Sequence, residues 1–125
     1  DPKIHYKVWQ TLKALFADDV LLMGSGDLVH NLGEVYWEEP RGEPIPWALE
    51  FETWFCENLK LGNLEKLFNW RKEIKDPTRI HPSAEHLYPV FSVLGACKNP
   101  ESLKFIYQGF HMRSISMTSF SFDMA

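Results

Sequence analysis

Near the start of the chain the hydrophobic pattern changes period, and that change constrains the fold more than any other feature. Ile4, Val8, Leu12 and Leu15 recur at helical spacing with Lys3, Lys7 and Lys13 among the polar positions, which predicts an amphipathic helix from about residue 2 to residue 17. Pro2 suits its first turn. Asp18 and Asp19 break the pattern, and Val20, Leu21, Leu22 and Met23 follow as the continuous apolar run of a strand buried on both faces. Helix followed by buried strand is the alternation of an α/β layer. Gly24, Ser25 and Gly26 then turn the chain into a segment rich in Glu, Pro and Gly over residues 33–46, read as a surface loop with a short strand at 34–37.

Further along, Trp47, Phe51, Trp54, Phe55 and Leu59 have helical spacing, Gly62 and Asn63 supply a stop, and a shorter helical pattern runs over residues 64–70. The aromatics on these segments are expected in the core. A charged stretch leads to His81, and the apolar run behind it reads as a buried helix closing at Gly95, a natural C-terminal cap. Residues 103–107 and 114–122 read as strands, the latter alternating Ile115 and Met117 with serines and a threonine. The expectation is one α/β domain, a mixed central sheet flanked by helices.

Composition bounds the function classes. With 125 residues, 45% hydrophobic and 14% aromatic, the chain can bury a core and is not a disordered segment. A net charge of −4 and a pI near 5.7 give no clustered basic surface for nucleic acid or an anionic membrane. No apolar run approaches the roughly 20 residues that span a bilayer. With Cys56 and Cys97 as the two cysteines and no Cys-x-x-Cys pair, both read as core thiols, and a cytoplasmic location is the default expectation. The chain opens at Asp1-Pro2 without an initiator Met, so it is expected to be the later part of a longer polypeptide.

Histidine can ligate a borderline metal through a neutral nitrogen or move a proton near neutral pH, so the five histidines are the first candidates. His5 on the opening helix and His111 before the last strand read as structural or solvated. His30 differs, since it follows a strand end and a glycine turn, where α/β sheets place their ligand crevices. His81 and His86 are five apart, not the i, i+4 pair of two ligands on one helical face, and need not bind the same ion. Glu85 is a second possible oxygen ligand, set against a plainer role as a negative charge at a helix N-terminus. Gly24-Ser25-Gly26 lacks both the Gly-x-Gly-x-x-Gly pattern and the lysine of a P-loop, and Ser25 lacks a nucleophile elbow.

At these residues the chain resembles the C-terminal half of class III extradiol ring-cleavage dioxygenases, in the DOPA-dioxygenase-like branch of the LigB superfamily. The resemblance is carried by residues 24–32 (GSGDLVHNL), by Pro46-Trp47-Ala48 with Phe51, by residues 81–86 (HPSAEH) through Leu94-Gly95-Ala96, and by residues 113–117 (RSISM) as a final strand. It implies the C-terminal portion of a LigB-like fold, so residues 1–125 are one domain or half of a larger catalytic domain. It implies that His86 is the late ligand of a mononuclear non-haem metal, Fe(II) expected and Zn possible, with Glu85 a lesser candidate. His30 is implied as the catalytic acid/base histidine beside the substrate, and His81 as a substrate contact.

The resemblance further implies extradiol cleavage of a small catechol, DOPA-like or other, with O2. It also implies two earlier histidine ligands, one in a His-Gly motif, that this sequence does not carry, so a missing N-terminal half or partner chain is expected to supply them. The alternative is a zinc-binding or inactive subunit or fragment of the same fold without ring cleavage.

Overall fold

A computed structural model describes residues 1–16 and 19–123. The helices are α1 (Pro2–Leu12), α2 (Pro46–Lys60), α3 (Leu64–Phe68), α4 (Trp70–Glu73), α5 (Pro77–Ile80) and α6 (Tyr88–Ala96). The strands are β1 (Lys104–Tyr107), β2 (Phe110–His111), β3 (Ile115–Ser116) and β4 (Ser119–Ser121). Antiparallel pairing joins β1 to β4 through Lys104 with Ser121 and Phe105 with Phe120, and β2 to β3 through Phe110 with Ser116. The class is α/β.

α2 is the pillar of the core. Ala48, Phe51, Phe55, Cys56 and Leu59 fall on one face at helical spacing, and that face is buried against Leu67, Trp70, Leu87 and Phe91. Phe51 meets Trp70 edge-on at 5.8 Å and Phe55 meets Phe91 edge-on at 6.2 Å, the arrangement aromatic quadrupoles favour. On the same face Glu52 is buried. It accepts from Thr118 Oγ1 at 2.6 Å and from Ser116 Oγ, which fastens α2 to β3 and the turn behind it.

Four elements differ from the sequence reading. The helix expected up to residue 17 ends as α1 at Leu12 with a single 3-10 turn over Lys13–Leu15, and Ala17 and Asp18 lie outside the described residues. Ile4 and Val8 point outward, while Tyr6 packs against the core and meets Phe68 at 5.2 Å. The segment containing Val20, Leu21, Leu22 and Met23 forms no strand: its backbone has no ladder partner among the described residues, and Leu21 and Met23 are 75% and 78% exposed. The strand expected at 34–37 is a 3-10 turn (Leu32–Glu34) followed by extended chain, and the strand expected over 114–122 is divided between β3 and β4.

The buried helix also differs in its details. α6 begins at Tyr88, so residues 81–87 are turns rather than a first helical turn, and the helix runs past Gly95 to Ala96. Gly95 is a contact, not a cap. A Cβ on it would overlap the Tyr6 carbonyl oxygen and crowd Gln10 N, so glycine lets α1 lie directly on α6. Gly95→Ala should force these helices apart and destabilise the fold by about 1–3 kcal/mol, read as a lower urea or thermal midpoint.

Candidate metal centre

Two loops meet to make the site. Leu28 and Val29 are buried, and the Val29 carbonyl accepts from Ser116 N at 3.2 Å, which anchors the first loop to the core. The second loop is the run of turns between α5 and α6. Asp27 N–H donates to the His86 carbonyl at 2.9 Å and His30 N–H to the Ile80 carbonyl at 3.2 Å. The Asn31 side chain donates to the Arg79 carbonyl at 2.8 Å while accepting from Gly33 N at 3.0 Å. Gly26 is required by this closeness, because a Cβ there would overlap the His86 carbonyl oxygen.

This clip brings His30 and His86 together as stacked rings, with centroids 3.6 Å apart and planes 19° from parallel. Asp27 stands beside them. One donor atom from each of Asp27, His30 and His86 falls within 4.8 Å of the others, and all three residues are half-buried. Two imidazoles and a carboxylate are the donor types that hold Fe(II) or Zn, so the residues present fit the metal the sequence resemblance implies. Burial pushes the Asp27 carboxyl upward, and the His30 and His86 rings pull it back.

His81 is placed elsewhere. Its ring is fully buried, edge-on to Trp70 at 5.6 Å and to Phe51 at 6.3 Å, with Nε2 at 2.8 Å from the Leu28 carbonyl. A carbonyl accepts only, so Nε2 carries the proton, and burial keeps the ring neutral by disfavouring its charged form. Its Nδ1 has no partner. His81 therefore supports the Asp27–His30 loop from behind. Glu85 is 62% exposed, its carboxylate bonded to Ser83 Oγ at 2.8 Å, a bond that chiefly holds its pKa below the usual value. His5 stacks on Tyr88 at 4.4 Å and His111 is exposed on β2, as structural and solvated readings expect.

A cavity of about 520 Å3 opens from Asp27 and His86, with Leu21, Val90, Val93, Ile106 and Phe120 among its walls. That is within the range of small-molecule sites, and its apolar sides suit a flat aromatic ring.

Residues 1–122 match the family described as the catalytic LigB subunit of aromatic ring-opening dioxygenase. The chain belongs to the LigB family. Among curated relatives, the 4,5-DOPA dioxygenase extradiol of Mirabilis jalapa is 38% identical over 99 residues, covering 78% of this chain and 36% of that protein. The protein of the same name from Escherichia coli K12 is 34% identical over 118 residues, covering 92% of this chain and 43% of its own length. A crystal structure of an uncharacterized protein from Escherichia coli K12 superposes with a TM-score of 0.83 at 31% identity, covering 98% of this chain and 50% of that one. The chain thus spans half or less of the length of these LigB-family relatives.

The sequence reading missed Asp27. The available signal was a carboxylate three residues before His30 on the same glycine turn.

Burial holds His81 far below its ordinary pKa of 6.5, at about 4, outweighing the Leu28 bond that favours the charged ring. The unfolded chain takes up this proton below about pH 6.5 and the folded chain only near pH 4. His81 therefore stabilises the fold above pH 6.5, and the stabilisation drains away as pH falls toward 4, by roughly 3 kcal/mol in total. Urea unfolding of wild type and His81→Asn at neutral pH and at pH 4.5 checks this: the acid-induced loss should shrink in the variant.

Proposed function

We propose that this chain is the part of an extradiol dioxygenase that carries the late metal ligand and the acid/base histidine. His86 would hold a mononuclear metal, Fe(II) by preference and zinc in a redox-silent form, and His30 would exchange protons with a catechol. The observation that carries this reading is the stacked His30–His86 pair, whose His86 lines an apolar cavity, in a chain of the LigB family.

The stack supports different jobs for the two rings. With the rings nearly parallel and 3.6 Å apart, His86 would hold the metal and His30, stacked beside it, would serve as the base toward the substrate. When bound, Fe(II) with open positions would bring catechol and O2 together on one centre. His30 would take a hydroxyl proton from the catechol and return a proton later, work an imidazole nitrogen can do as both acceptor and donor. The walls at Val90, Val93 and Phe120 would face the ring and exclude water.

The remaining donors are assigned to a preceding segment or a partner chain. Two observations support this: the relatives are more than twice as long, and apolar side chains stand exposed at Leu21, Met23 and Ile106, the last 71% exposed, beside the cavity. A strip of that kind suits another polypeptide segment. The substrate class is a small catechol, since the curated relatives carry the name 4,5-DOPA dioxygenase extradiol.

In the metal-loaded protein with its complementing half, His30→Ala should lower catechol turnover about 100- to 10,000-fold while leaving most of the metal bound. His86→Ala should lose metal. Metal per chain by elemental analysis, beside catechol consumption, separates the two, and the reverse pattern would refute the assignment.

A further inference from the structure

We infer that Asp27 is a second metal donor of this chain, acting with His86, so that the chain supplies a histidine–carboxylate pair rather than a single histidine. The inference deepens the reading above and rests on it for the role of His86. Asp27 Oδ2 lies 3.9 Å from His86 Nδ1. A hydrogen bond would close to about 2.7–3.2 Å. Two donors each about 2.1 Å from one ion are instead ~3.0 Å apart at a right angle and ~4.2 Å apart when opposite, and the observed separation falls between these.

Among the described residues the Asp27 carboxylate has no hydrogen-bond donor. Burial and the two imidazoles are the influences on its carboxylate, with no hydrogen bond among them. Its side chain is only 21% exposed, and leaving such a group without a donor is costly. A cation shared with His86 would relieve that cost. The backbone is set for it, because the Asp27 N–H to His86 carbonyl bond and the close approach at Gly26 fix the distance between the two side chains.

The neighbouring carboxylate does not compete. Glu85 Oε1 lies equally far from the other nitrogen of His86, 3.9 Å from Nε2, but it is largely in solvent and already bonded to Ser83. An exposed, solvated carboxylate gains little from moving onto an ion, whereas a half-buried unsatisfied one gains most. Asp27 and Glu85 flank opposite nitrogens of the same ring, so the inference also selects Nδ1 of His86 as the coordinating atom.

The test is a Zn2+ titration of the purified chain, followed by calorimetry and by 1H–15N correlation of the histidine rings. The expected result is a shift of the His86 ring and a Kd at least ~10-fold weaker in Asp27→Asn than in wild type. Asp27→Glu should keep more affinity than Asp27→Asn, and matching thermal midpoints without zinc show that each variant folds. Equal Kd values for wild type and Asp27→Asn would overturn the inference and leave the His86 assignment standing. A wild-type chain whose rings do not respond to millimolar zinc would also overturn it, leaving the dioxygenase reading to its own test. If His86→Ala bound zinc as tightly as wild type, both would fall.

Discussion

Four hydrogen bonds hold the site together, joining the irregular loop at residues 27–31 to the last residues of α5 and the run of turns behind it. Residues 27, 28, 30 and 31 bond to residues 86, 81, 80 and 79 in turn, as two antiparallel segments would, although one contact uses an imidazole and another an amide side chain. Those side chains matter because backbone alone cannot keep pairing where the chain bends at Pro82 and at the glycine turn. Removal of the His81 contact would free the middle of the seam. The ends at Asp27 and His30 would then be held by one backbone bond each.

The seam explains a fully buried histidine in an aromatic core. Trp70 and Phe51 hold the His81 ring edge-on, in surroundings that exclude its charged form, and the neutral ring donates one proton to one carbonyl. A lysine or arginine could not be buried there without a counter-charge, and an aliphatic residue would leave Leu28 O unmet. The unpartnered Nδ1 is the cost of that choice. What looked in sequence like a substrate contact is thus a link between the core and the Asp27–His30 loop, one whose neutrality the fold needs.

Much of this arrangement was legible in the sequence, and the parts that were not share a cause. The aromatic face of α2, the helix behind the histidine motif and β1 follow from side-chain period, because those elements bury their apolar faces within the chain itself. The pairing of His30 with His86 was legible through family resemblance, not through period. Val20, Leu21, Leu22 and Met23 read as a buried strand because their composition is that of one, yet within the described residues no neighbour pairs with them and they stand open. Local pattern reports what a segment is suited to bury against, not whether that surface is present. Gly95 misled for a related reason: its role is set by α1, some eighty positions earlier, and nothing local distinguishes a packing glycine from a capping one.

Three acidic residues near this centre show how surroundings, rather than residue type, assign function. Glu52 is the most buried, but Ser116 and Thr118 donate to it, so its charge is met inside the protein and its work is to join α2 to the β3 turn. Glu85 is met by water and Ser83, and its charge is screened. Asp27 lies between these limits, too shielded for water to satisfy fully and without a donor among the described residues. Burial by itself would have favoured Glu52, and nearness in sequence to His86 would have favoured Glu85. Only the combination of shielding, unmet acceptor capacity and an imidazole at an ion-bridging distance singles out Asp27, and that combination depends on Gly26 having no side chain.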